Sequence, residues 1–151
     1  METRDSDIRK TEEFFEKAYP EPTDKNFHTQ LGVHFEEIAE MLDALTPLNA
    51  QAGVFLGLVR EITTSFSGFL KTTPGSFEIN DRVEFLDGLC DQIVTATGTG
   101  HMAGMLMSGA MGEVNRSNAS KFGENGEPIL DENRKMMKGP HYKKPNLESF
   151  V

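Results

Sequence analysis

The chain has 151 residues, 15 Lys and Arg against 24 Asp and Glu, and one cysteine. That size suits one ordinary core, so a single domain over 1–151 is expected. The net charge of −9 excludes a general binder of nucleic acid or anionic membrane, both of which demand a basic surface. The lone Cys90 excludes an internal disulfide and a thiolate zinc cluster, and is expected to be a small packing residue.

The longest stretch without Asp, Glu, Lys or Arg, Gln92 to Gly112, is interrupted by five glycines and His101, which makes it a poor membrane span. With no basic apolar leader at the start, a cytoplasmic protein is expected, in the host cytoplasm if the chain is viral. Charge is uneven: residues 1–114 carry a net −11 and residues 115–151 a net +2. An acidic body with a mildly basic tail suits a phosphorylated small molecule held through both metal and tail; a merely solvated tail accounts for the composition equally well.

In chain order, an amphipathic pattern with Ile8, Phe14, Phe15 and Ala18 predicts a first helix over 4–18, closed by Pro20 and Pro22. Phe35, Ile38, Ala39, Met41, Leu42 and Leu45 predict a second helix over 35–45. A third spans 50–70, with Val54, Phe55, Leu58, Val59, Ile62, Phe66, Phe69 and Leu70 at helical spacing before the Pro74-Gly75 stop. A fourth runs over 79–101, with Val83, Leu86, Leu89, Cys90, Ile93 and Val94 as core candidates. A fifth covers about 108–118. Beyond Phe122 glycines and prolines punctuate the chain, so 123–151 reads as an irregular arm, loop or short hairpin. The sum is an all-α bundle with an irregular C-terminal arm.

Two acidic clusters fall on these helices. Glu36, Glu37 and Glu40 share a face of the second; Glu84, Asp87 and Asp91 share a face of the fourth. Such runs are usually solvated faces. On the apolar fourth helix, however, only Arg82 lies nearby as a basic partner, and a hard divalent cation such as Mg²⁺ is the more economical counter-charge. His28 and His34 precede the first cluster; hard cations prefer oxygen, so His28 is expected to hydrogen-bond within the bundle. Met102, Met105, Met107 and Met111 read as a deformable core or subunit interface.

An ordered series runs from Phe27-His28-x-x-x-Gly32 through Glu36-Glu37-Ile38-Ala39-Glu40 and Glu84-x-x-Asp87-Gly88-Leu89-Cys90-Asp91. It continues with Val114-Asn115-x-Ser117-Asn118-x-Ser120-Lys121 and ends on Lys138-Gly139-Pro140-x-Tyr142 with Pro145. Over 27–147 this series resembles the MazG-like, phosphoribosyl-ATP-pyrophosphohydrolase-like family common in bacteriophages. The resemblance implies a MazG-like helical bundle that is a homo-oligomer, dimer or tetramer. It implies cleavage of a nucleoside triphosphate between the α- and β-phosphates, with two or three Mg²⁺ or Mn²⁺ per site.

By the same resemblance, Glu37 and Glu40 match the first pair of metal carboxylates and Glu84 and Asp87 the second. Asp87 with Asp91 is the alternative second pair. Glu36 matches an extra Glu, as a further ligand or the base that orients water. Asn115, Asn118 and Lys121, three residues apart, could face the phosphates together; Lys138 and Tyr142 are candidates for contacts from the tail. Ser117 and Ser120 either add hydrogen bonds or cap their helix. The gap between Glu40 and Glu84, filled by the apolar third helix, departs from the family pattern and suits oligomerisation or a cap over the nucleotide.

Phage members of the family point to a purine deoxynucleotide, dGTP first, with GTP or dATP behind it. A dCTP or dUTP pyrophosphatase is the enzymatic alternative, and a non-catalytic helical nucleotide-binding or assembly protein the other class. Neither nucleic acid nor membrane is expected as a partner.

Overall fold

A computed structural model describes residues 6–151, and among them five α-helices and no strand. The helices are α1 (Asp7–Ala18), α2 (Asp24–Asp43), α3 (Ala50–Thr72), α4 (Arg82–Met102) and α5 (Met107–Ala119), followed by a short 3-10 turn at Glu148–Phe150. The all-α expectation holds. The start of the first predicted helix, at residue 4, lies outside the described residues. No described helix is long and apolar enough to cross a membrane.

Two helix starts expected within the described residues differ from the sequence reading by three residues or more, both because of side-chain caps. Helix α2 begins at Asp24 rather than at residue 35. Thr23 Oγ1 accepts from Asn26 N, and the Asn26 side chain accepts from Thr23 N at 2.9 Å, a capping box built with Asn in place of Glu or Gln. Helix α4 begins at Arg82 rather than at residue 79, where the Asp81 carboxylate accepts from Val83 N and Glu84 N and satisfies two of the first-turn amides.

The chain divides into two compact units. The hairpin unit comprises Glu21–Glu78 with Leu130–Lys135, and the terminal unit the N-terminal residues to Pro20 with Ile79–Ile129 and Met136–Val151.

In the hairpin unit α2 packs along α3. Leu70 and His28 are fully buried, and Phe35, Phe66 and Phe77 form a chain of edge-to-face rings at 4.9 and 5.8 Å. His28 is a polar hub, as the sequence suggests. Its Nε2 accepts from Phe77 N at 3.2 Å, and its Nδ1 lies 3.0 Å from Asp24 O and 3.4 Å from Gly75 N. The outer face of α3 is uncovered: Val54, Phe55, Leu58, Val59 and Ile62 are each about half exposed or more.

In the terminal unit α1 packs on α5, and α5 touches α4 and the 148–150 turn. Phe14 meets Phe122 edge-on at 5.5 Å. Two glycines set close approaches here, Gly100 against Met107 and Gly109 against the Phe150 ring, each leaving no room for a Cβ. Helix α4 departs from expectation: Val83, Leu86, Ile93 and Val94 are 51–81% exposed, and Cys90 is exposed instead of packed. The reason is that, among the described helices, α4 packs on α5 alone within its unit, which leaves most of its apolar stripe uncovered there.

Candidate functional site

The hairpin unit builds its most ordered polar cluster on one stripe of α2. Lys25, Thr29, Gly32 and Glu36 follow one another at intervals of three or four residues, hence on one face. The first two grip the turn at 131–135: Lys25 Nζ donates to Glu132 O at 2.7 Å, and Thr29 Oγ1 to Asn133 O at 2.6 Å. The turn is closed internally, because Asp131 Oδ1 accepts from Asn133 N and Lys135 N, each at 2.9 Å. Arg134, at φ 68°, holds a left-handed conformation that costs a non-glycine residue on the order of 1 kcal/mol. That turn delivers Lys135, whose Nζ donates to Glu36 Oε2 at 2.6 Å.

Gly32 brings the second lysine. A Cβ there would lie 2.7 Å from Lys71 Cγ and 2.8 Å from Ser67 O, so only glycine lets α3 approach this closely. The Lys71 stem passes over the gap and its ammonium pairs with Glu36 Oε1 at 2.8 Å. Glu36 is therefore bridged by two ammonium groups. Burial alone would raise its pKa, but the hydrogen bonds and charges of Lys135 and Lys71 hold the carboxyl below its ordinary value. Glu37 and Glu40, next on the helix, are exposed.

In the terminal unit the second acidic cluster has a different setting. Glu84, Asp87 and Asp91 are exposed along α4, and no ion pair involves them or Arg82 among the described residues. Among those residues no group of three or more His, Cys, Asp or Glu is assembled to hold a metal. The donor chemistry suits a hard cation, since each helix presents exposed carboxylates one turn apart; each pair by itself offers two ligands.

The two C-terminal motifs meet each other. Gly139 N donates to Lys121 O at 2.8 Å, and a Cβ on Gly139 would lie 2.5 Å from both Lys121 O and Phe122 O. Lys143 N donates to Ser120 Oγ at 2.8 Å, and Ser120 Oγ donates to Ser117 O at 2.6 Å. The Lys-Gly-Pro-x-Tyr segment is thus seated on the end of α5, where its glycine is a steric requirement. Lys138 stands exposed with its ammonium 4.9 Å from the Tyr142 ring, and Lys121 is half-buried, 5.9 Å from the Phe14 ring.

Asn115 is 8% exposed, and its amide is engaged: Oδ1 accepts from Thr11 Oγ1 at 2.9 Å and Nδ2 donates to Asp7 O at 3.0 Å. It fastens α1 to α5, with one N–H left over. Asn118 is half-buried. Lys10, Lys17, Phe14, Arg116 and Phe122 line a groove of about 410 Å³ beside Asn115.

Lys71 and Lys135 are the polar residues that sequence reasoning passed over. Lys71 looks like a basic residue ending an apolar helix, and Lys135 lies 99 positions from Glu36. The one available signal was the Asp131-x-Asn133 turn in an otherwise featureless arm.

No family model and no curated protein matches the sequence. One solved structure is similar: that of a "putative NTP pyrophosphohydrolase" from Exiguobacterium sp. 255-15, with 20% sequence identity and a TM-score of 0.59 over 92% of this chain and 88% of that one. At that identity the likeness is one of fold, and the chain shares the helical architecture of that protein over nearly its whole length.

Proposed function

We propose that this chain is a metal-dependent nucleoside triphosphate pyrophosphohydrolase of the MazG-like, phage type, releasing a nucleoside monophosphate and pyrophosphate. The observation that carries the reading is the set of exposed acidic residues Glu40, Glu84 and Asp87, which have no ion-pair partner among the described residues. Uncompensated like charges one turn apart destabilise a helix, and a divalent cation removes that cost. The fold shared with the Exiguobacterium protein, itself described as a "putative NTP pyrophosphohydrolase", adds to it.

Glu37 and Glu40 on α2 and Glu84 and Asp87 on α4 are the proposed ligands of Mg²⁺ or Mn²⁺, with Asp91 as support. Bound cations would offset the charge of the phosphate oxygens and acidify a water. Attack of water on the α-phosphorus would form the new P–O bond and break the bond to the bridging oxygen, with pyrophosphate leaving with the electron pair and the water's proton passing to solvent. Lys121 and Lys138 supply ammonium donors to the phosphates; Asn118 adds an amide, Tyr142 an aromatic face and phenol, and Asn115 its one remaining N–H. The proposed substrate is a purine deoxynucleotide, dGTP first. The uncovered apolar faces of α3 and α4 favour a homo-oligomer, because a soluble chain rarely leaves such surface in water.

The test is hydrolysis of every common NTP and dNTP with Mg²⁺ or Mn²⁺, separating monophosphate and pyrophosphate from diphosphate and phosphate. Monophosphate and pyrophosphate, fastest from dGTP and lost in Glu40→Gln and Asp87→Asn, is the expected outcome. Preference for dCTP or dUTP would replace the purine assignment. No turnover by folded, metal-supplemented protein would leave a nucleotide-binding or assembly role.

A further inference from the structure

The Lys71–Glu36–Lys135 cluster has more positive charge than it consumes. Two ammonium groups share one carboxylate, at 2.8 and 2.6 Å, so the triad keeps a net positive charge in a partly buried place: Lys71, Glu36 and Lys135 side chains are 17, 29 and 38% exposed. An ion bridge built only to fasten the 131–135 turn to α2 would need one lysine. Lys25 and Thr29 already hold that turn by its carbonyls.

Each ammonium has three donors and gives one to Glu36, so donors remain on both sides of the carboxylate. The acidic residues next along α2, Glu37 and Glu40, are assigned to cations in the proposed function, which leaves the excess charge of the lysines for an anion. Two point-charge donors flanking one anchor are well suited to a polyphosphate, whose neighbouring phosphoryl groups offer oxygens in several directions.

From this geometry we infer that Lys71 and Lys135 form a phosphate-binding subsite for the triphosphate substrate, and that Glu36 is a positioning residue that keeps the two ammonium groups together when no substrate is bound. The inference rests on the proposed function for its substrate. It gives Glu36 a task other than ligating metal or activating water, and Arg134's left-handed turn becomes the device that aims Lys135.

The experiment measures binding of inorganic tripolyphosphate to the full-length protein by calorimetry, in the presence of a metal chelator and at low ionic strength, beside the hydrolysis assay. Lys135→Met should weaken tripolyphosphate binding, and raise KM, by about tenfold or more, with kcat changed by less than about threefold, as expected for a lost charged hydrogen bond that is not specific to the transition state. Lys135→Arg should recover part of the binding. Glu36→Gln should bind tripolyphosphate more tightly than the wild type while unfolding at lower denaturant, a pair of changes that a purely structural ion bridge would not produce.

Wild-type affinity for tripolyphosphate in Lys135→Met, or no binding by the wild type, would overturn the inference even if nucleotides are hydrolysed. Tripolyphosphate binding that depends on Lys135, in a protein that turns over no nucleotide, would uphold the subsite and sink the pyrophosphohydrolase reading instead.

Discussion

Glu36 and Asp87 each belong to an acidic cluster whose members share a helix face, yet their surroundings are opposite. Glu36 is partly buried between two lysines, one from the neighbouring helix and one from a turn far along the chain. Asp87 stands in solvent between Glu84 and Asp91 on a helix where Val83, Leu86, Ile93 and Val94 are themselves exposed. The charge of Glu36 is managed within the protein; the cluster around Asp87 is stored repulsion. Carboxylates gathered on one helix face therefore serve two different devices, and what separates them is the element packed alongside.

The comparison breaks most visibly through activity. Asp87→Asn and Glu40→Gln should each lower nucleotide hydrolysis by about a hundredfold or more, since loss of a metal carboxylate removes charge stabilisation at the reacting phosphate. Residual activity near wild type in either variant would remove that residue from the metal set.

The framework behind Glu36 comes next. His28→Ala leaves Phe77 N without its acceptor and opens a void in a fully buried place, so it should cost about 2–4 kcal/mol in denaturant unfolding. Gly32→Ala should cost roughly 1–3 kcal/mol by forcing α3 away from α2, and with Lys71 displaced it should also relax the Glu36 carboxyl toward its ordinary pKa, readable by carboxyl-resolved NMR titration. On the other side of the comparison, Asp87→Asn in chelator-treated protein should stabilise α4 by about 0.2–0.5 kcal/mol, because it relieves like-charge repulsion. A stability loss there would mean that Asp87 has a favourable partner.

The smallest effect lies on α5. Arg116 and the backbone N–H of Asn146 pull the partly exposed Glu113 carboxyl down to about 2. A depressed carboxylate contributes stability above its ordinary value of 4.5 and loses it as pH falls from there through about 2. Melting curves of the wild type and Glu113→Gln should therefore differ slightly above that window and converge as the pH falls through it, with solvent screening keeping the difference small.

Helix periodicity made the five helices legible, and the ordered acidic and Ser-Asn-x-Ser-Lys motifs pointed to candidate residues before any contact was known. Boundaries set by caps were not read, because Thr23-x-x-Asn26 and Asp81 are ordinary polar residues until their side chains turn onto the helix amides. Burial on α4 was misread for a stronger reason: apolar spacing identifies a stripe that wants cover, but not whether its own unit supplies it. Lys71 and Lys135 escaped notice since a bridged carboxylate depends on approaches, at Gly32 and at the 131–135 turn, that have no local periodicity.

The hairpin unit is assembled from pieces of very different sequence separation, and this orders its formation in time. Helices α2 and α3 are neighbours along the chain, and such local pairs close quickly at little loop entropy. They are synthesised before the 131–135 turn exists, so the α2 stripe, Glu36 and Lys71 can be in place while Lys135 has yet to leave the ribosome. The last ion pair of the unit to form is then the one that supplies the subsite's second cation. A chain truncated before residue 130 would keep its α-helical hairpin and lack the grip proposed for the phosphates.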